Sequence, residues 1–132
     1  MLFHTMIGSN DINRSKRFYD EVLGVLGVSE ATLNIADSGH TRLIYSNENG
    51  TNFIVSQPIN DEPATVANGS TIAFSCNSPN QVRQFHDAAV AAGGTSIEEA
   101  PGPRNTASLG LIELAYFRDP DGNKLCGIHF PE

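Results

Sequence analysis

Apolar and polar residues change their spacing repeatedly along the chain, and each change marks an element. Residues 2–7 read as a first strand, closed by the turn residues Gly8, Ser9 and Asn10. Asp11 then offers a side-chain oxygen to the orphan N–H groups of a helix start. Ile12, Phe18, Tyr19, Val22, Leu23 and Leu26 recur at helical spacing, opposite Arg14, Lys16, Arg17 and Asp20. Gly24 and Gly27 mark the end of that helix. Strand-like segments follow over 31–36, 41–45 and 52–57; Ser38-Gly39 turns between the first two and Asn49-Gly50 precedes the third. Residues 58–69 are polar, carry Pro63 and show no period, which predicts a connector.

The order then recurs. Residues 70–76 alternate, with Thr71, Ala73 and Ser75 on one face and Ile72, Phe74 and Cys76 on the other. Ser78, Pro79 and Gln81 form a helix start, with a capping hydroxyl, a proline at the first helical position and an amide three residues after the cap. That helix passes through Val82, Phe85, Ala89 and Val90 and stops at Gly93-Gly94. Short strands are predicted over 95–98, 110–117 and 123–130, the last two joined by a tight Asp119-Pro120-Asp121-Gly122 turn.

Each half therefore reads strand, helix, then three strands. The expected fold is α+β: a single 1–132 domain of two βαβββ modules, about 1–58 and 69–132, forming a curved mixed sheet around a cleft. A ligand would sit inside the curve.

Composition narrows the function. At 39% hydrophobic and 17% charged, the 132-residue chain has the make-up of a soluble globular protein. No apolar run approaches the roughly 20 residues a membrane helix needs. The opening MLFHTMIGSND lacks a basic-then-apolar leader pattern, so a cytoplasmic location is expected. A net charge of −7 argues against nucleic acid and leaves room for a cationic small molecule. Cys76 and Cys126 form no paired motif and are expected to be free thiols.

Tyr116-Phe117-Arg118 followed by Asp119-Pro120-Asp121-Gly122-Asn123 resembles the YFRDPDGN signature before the last strand of the vicinal oxygen chelate superfamily, which holds glyoxalases, bleomycin resistance proteins and extradiol dioxygenases. His4, then IGSNDINRSKRFYDEVLGVLG, is similar to that family's opening strand, capping aspartate and FYxxVLG helix. Gly69-Ser70-Thr71-Ile72-Ala73-Phe74 is similar to the first strand of its second module, so the resemblance spans nearly the whole chain. It implies paired βαβββ modules and a homodimer. In active members it implies a divalent metal in the cleft, which chelates adjacent substrate oxygens and stabilises an enolate, alkoxide or peroxide as a Lewis acid.

Carried over by position, the metal ligands largely disappear. His4 matches. Thr71 stands where the resemblance expects histidine, and Cys126 where it expects glutamate. The last strand of the first module offers Asn52, Ser56 and Gln57 but no carboxylate. A firmly held divalent ion needs three or more good ligands, so no cofactor is the expectation and a divalent metal the alternative. A thiolate at Cys126 would suit Zn²⁺ rather than Mg²⁺, Mn²⁺ or Fe²⁺.

The candidate site residues are His4 as metal ligand or general base, and Thr71, Cys126, Tyr116 and Arg104 as ligand contacts. Each has a plainer alternative: a hydrogen-bonded strand histidine, a quiet thiol, a wall tyrosine, and a solvated arginine in the 101–105 loop. In the family's dioxygenases a tyrosine at the place of Tyr116 assists the chemistry. Glu113 is out of phase with Tyr116 and is expected to face away; His40, His86 and His129 are scattered; Asp119 and Asp121 read as turn-formers. Two functions stay open. The missing ligands favour metal-free binding of a small organic molecule, similar to drug-sequestering members; the other is a metal-dependent lyase, isomerase or dioxygenase-type enzyme using His4.

Overall fold

In the computed structural model, which describes residues 1–48 and 50–131, both helices begin where their sequence caps lie. Strand β1 (His4–Gly8) runs into Asp11, whose Oδ1 accepts the Arg14 N–H at 3.0 Å and starts α1 (Ile12–Gly24). Strands β2 (Thr32–Ile35), β3 (Thr41–Ser46) and β4 (Asn52–Ser56) complete the first half. Asn49, assigned with Gly50 to the turn before β4, lies outside the described residues. In the second half β5 (Ile72–Ser75) leads to Ser78, whose Oγ accepts the Gln81 N–H at 3.0 Å and starts α2 (Pro79–Ala91). Strands β6 (Thr95–Thr106), β7 (Gly110–Arg118) and β8 (Lys124–His129) follow.

The result is two four-stranded mixed sheets in the orders β1-β4-β3-β2 and β5-β8-β7-β6, so the two halves share one topology. In each, the first strand pairs in parallel with the last, and the other neighbours are antiparallel. The α+β architecture of two βαβββ units is as expected.

Strand alternation then sorts the side chains. Leu43, Tyr45, Phe53 and Val55 of the first sheet and Ala115, Phe117 and Leu125 of the second turn toward the helices. There they meet Phe18, Tyr19, Val22, Leu23, Val82, Phe85 and Ala89 in one hydrophobic cluster. Phe53 lies edge-on to Phe74 at 5.3 Å between ring centres, which ties the two sheets. Among the described residues, the opposite sheet faces carry no helix.

The Asp119–Asn123 turn does more than reverse the chain. Asp119 is buried and accepts the backbone N–H groups of Asp121 and Asn123 at 3.0 and 2.9 Å, the Asn123 amide at 2.9 Å, and Tyr19 Oη from α1. Asp121 Oδ1 takes Arg14 Nη2 and the Asn10 N–H, both at 2.9 Å, and Asn123 Nδ2 donates to Gly8 O at 3.3 Å. These residues fasten one half to the other.

Strand β6 departs most from expectation: it extends to Thr106, where residues 95–98 were predicted. Pro101 and Pro103 suggest a loop, but β6 is an edge strand, where proline is tolerated because alternate N–H groups point away from the single neighbouring strand. The register shifts between Ile97 and Gly102, and Glu98 adopts φ +60, as in a bulge. Arg104 is therefore a strand residue opposite Ile112, not a loop residue. β1 and β5 are shorter at their starts than predicted, beginning at His4 and Ile72.

Candidate functional site

Tyr116 on β7 and Cys126 on β8 are direct cross-strand partners on the helix-free face of the second sheet. Ala73 lies beside Cys126 on β5, and Thr71, two residues earlier, is exposed just before that strand. Ile112, Leu114 and Cys126 form a small buried cluster that Tyr116 and Ile128 pack against. The period-two pattern thus brings three of the five candidate residues, Thr71, Tyr116 and Cys126, to one face.

His4 occupies the corresponding face of the first sheet. It is opposite Asn52, next to the core-facing pair Thr5 and Phe53. Its ring packs edge-on to Phe3 at 5.9 Å, and it is exposed. Arg104 is occupied within its own bulge: Nη1 donates to Gly102 O and Pro103 O, Nη2 to Glu99 O and Ala100 O, at 3.0 to 3.4 Å. A guanidinium spent on four carbonyls has little left for a ligand carboxylate.

Burial sets the protonation of the central pair. The Cys126 thiol is pushed up to about 11, first by burial, then by Cys76 and Glu98, with Lys124 pulling the other way. Burial also raises the Tyr116 phenol, helped by Cys126 and Glu98. Lys124 Nζ sits 4.8 Å from the Tyr116 ring centre and 2.6 Å from Glu98 Oε2. Near neutral pH the site therefore presents a protonated thiol and a protonated phenol beside an apolar wall.

These donors do not fit the implied metal. A ligand set needs at least three strong donors, and among the described residues no three His, Cys, Asp or Glu side chains gather to hold an ion. Cys126 offers a thiol in place of a carboxylate, and the polar residues near the end of the first module are engaged: Asn52 Oδ1 accepts Ser46 Oγ, Ser56 Oγ donates to Gln57 O, and Gln57 Oε1 accepts the Thr41 N–H. The other histidines stay apart. His40 meets Ser38 and Asp61, His86 meets Asp87 and Ser96, and His129 meets Cys76 O.

The family model for the Glyoxalase/Bleomycin resistance protein/Dioxygenase superfamily matches residues 1–126. The chain belongs to that superfamily. A glyoxalase/bleomycin resistance protein from Albidiferax ferrireducens T118 is 45% identical, with a TM-score of 0.90 over 98% of this chain and 99% of that one. A glyoxalase-related enzyme from Fulvimarina pelagi shares the fold at 20% identity and TM-score 0.72, over 99% of this chain and 88% of its own. Glyoxalase I from Zea mays matches at 21% identity and TM-score 0.67, and this chain spans 45% of its length.

Within this superfamily fold, the sequence reasoning missed the wall and the ion pair of the site. Ile112, Leu114 and Ile128 share the phase of Tyr116 and Cys126, so alternation alone could have placed them. The Lys124–Glu98 pair could not be found that way, because it depends on the β6 bulge.

Proposed function

We propose that this superfamily member binds a small organic molecule without a metal, on the helix-free face around Tyr116 and Cys126. The observation that carries the reading is Cys126 itself: a buried thiol stands where the family resemblance expects a carboxylate ligand. A thiol and a phenol donate hydrogen bonds, and Ile112, Leu114 and Ile128 accept apolar area. The fitting ligand class is a compact apolar molecule bearing a carbonyl or similar acceptor toward Tyr116. Thr71 is proposed to contact that ligand from its rim, His4 to border the site from the first sheet, and Arg104 to shape it through the β6 bulge.

We also propose that the protein works as a homodimer in the cytoplasm. A folded monomer of 14.2 kDa is expected to expose roughly 6,800 Å², whereas this chain exposes 7630 Å². The surplus is close to the roughly 800 Å² that each partner buries in a standard interface. Exposed Phe3, Met6 and Leu33 supply apolar area for such a contact.

Two measurements test the binding reading. The first is elemental mass spectrometry on protein purified without a chelator or affinity tag. The second is amide chemical-shift mapping with a carbonyl probe such as acetophenone, repeated with EDTA. The expected result is substoichiometric metal and EDTA-insensitive shifts centred on Tyr116 and Cys126. Near-stoichiometric zinc, nickel, manganese or iron would overturn it and return His4 to a ligand role.

A further inference from the structure

Arg42 stands apart from the other half-buried arginines. Arg14 Nη2 bonds Asp121, Arg118 Nη1 bonds Gly122 O, and Arg104 bonds four carbonyls. Arg42 Nε, like Arg14 Nε, is buried with no hydrogen-bond partner, but among the described residues only the Arg42 side chain of these four makes no hydrogen bond or ion pair at all. A guanidinium is a permanent cation with its donors in a planar fork, so leaving it partly desolvated and unpaired is unfavourable. The Nη groups, not sealed off as Nε is, are the donors that remain to meet an acceptor from outside the chain.

Its surroundings say what kind of acceptor. Arg42 lies on β3 between Asn34 on β2 and Ser56 on β4, at one end of the helix-free face of the first sheet. It lines a cavity of about 430 Å³ together with Asn34, Ile35, Asp37 and Ile59. Ile35 and Ile59 are each 64% exposed, an unusual state for two isoleucines facing one hollow. Asp37 shares the lining without reaching Arg42. Either anion can dock two oxygens on the guanidinium fork, but a dianionic phosphate meets about twice the repulsion from Asp37 that a monocarboxylate does.

We propose that this cavity is a second ligand site, taking a small monocarboxylate whose carboxylate pairs with Arg42 and whose aliphatic body covers Ile35 and Ile59. The net charge of −7 does not oppose this, because charges farther than a Debye length of about 8 Å are screened while the Arg42 contact is local. The site is on the other sheet from Tyr116 and Cys126 and stands or falls independently of them.

The test uses hexanoate, its uncharged analogue hexanamide, and inorganic phosphate, read by amide and arginine Nε shifts of the labelled protein. Hexanoate is expected to move Arg42 Nε and the Asn34, Asp37 and Ile59 amides while leaving Tyr116 and Cys126 unmoved. Hexanamide and phosphate should bind about tenfold more weakly or not at all, since losing one charge-assisted fork changes affinity by that order. Arg42→Gln should lose hexanoate binding to the same degree. Because the Arg42 side chain makes no hydrogen bond or ion pair among the described residues, the substitution should not lower the thermal midpoint, so a loss of binding reads as loss of the contact. Overturning results are no hexanoate shifts at these residues in the unaltered protein, or hexanamide binding within about twofold of hexanoate. Unchanged hexanoate affinity in Arg42→Gln would overturn it equally.

Discussion

Asp119 of the β7–β8 turn accepts a hydrogen bond from Tyr19 Oη of α1, joining residues a hundred positions apart in sequence. Both are buried, and burial, with the Asp119 charge next, drives the phenol far above its ordinary range. The contact also explains why a turn aspartate is buried rather than solvated. Its carboxylate satisfies two backbone N–H groups of its own turn while receiving Tyr19 from the other half of the molecule.

Asp119→Ala should therefore destabilise the protein by about 3 kcal/mol, because it leaves several buried donors without an acceptor. Asp119→Asn should lose less, since the amide oxygen still accepts. Urea denaturation of the two variants gives the comparison. Equal, small losses would mean that the turn is held by its backbone alone.

Tyr19 also shows where legibility from sequence ended. Its place on the apolar face of α1 follows from spacing, as do the caps at Asp11 and Ser78 and the repeated strand order. Its partner does not. Asp119 and Asp121 look like turn-formers because local chemistry is all that a short motif displays; their bonds to Tyr19, Arg14 and Asn10 arise only when the two halves pack. Strand β6 was hidden differently. Pro101, Gly102 and Pro103 signal a loop locally, and only the edge position of the strand makes them tolerable. Of the candidate site, the family resemblance pointed to Thr71, Tyr116 and Cys126, but nothing local in the sequence could tell that Arg104 turns back on its own carbonyls.

Gly94 was read as a helix stop, and the structure adds a packing demand. A Cβ there would lie 2.8 Å from both Ala89 O and Arg118 O, which are backbone atoms. At Gly127 a Cβ would instead meet the Phe85 ring at 2.9 Å and Cys76 Sγ at 3.2 Å. Side chains can yield more than backbone, so Gly127→Ala should cost about 1–3 kcal/mol and Gly94→Ala more. Thermal denaturation of both variants decides the order; the reverse order would show that the α2–β7 junction relaxes easily.

The thiols make stability depend on alkaline pH. Cys76 and Cys126 are each pushed up to about 11 from 9.0, chiefly by burial. The folded protein therefore holds thiol protons that the unfolded chain has released. That stabilisation is complete below about pH 9 and is lost as the pH climbs toward 11. The thermal midpoint should fall across this interval, and Cys126→Ala should make the fall shallower by removing one titrating group. Iodoacetamide should label the folded protein slowly at neutral pH. Rapid labelling of Cys126 there would mean that the thiol is not held protonated.

His4 is exposed and, among the described residues, its side chain makes no hydrogen bond, so His4→Ala should change stability by no more than about 0.5 kcal/mol. The same residue becomes informative when ligands are restored around it. Thr71→His combined with Cys126→Glu supplies imidazole and carboxylate at the two positions where the family resemblance expects them, both on the helix-free face of the second sheet. If those positions converge with His4, calorimetry should record a Zn²⁺ or Mn²⁺ binding heat that the unaltered protein lacks, and adding His4→Ala should abolish it. A double variant that folds yet gains no metal affinity would separate the helix-free faces too far for a shared site. The ligand around Tyr116 and Cys126 would then have to be held by the second sheet alone.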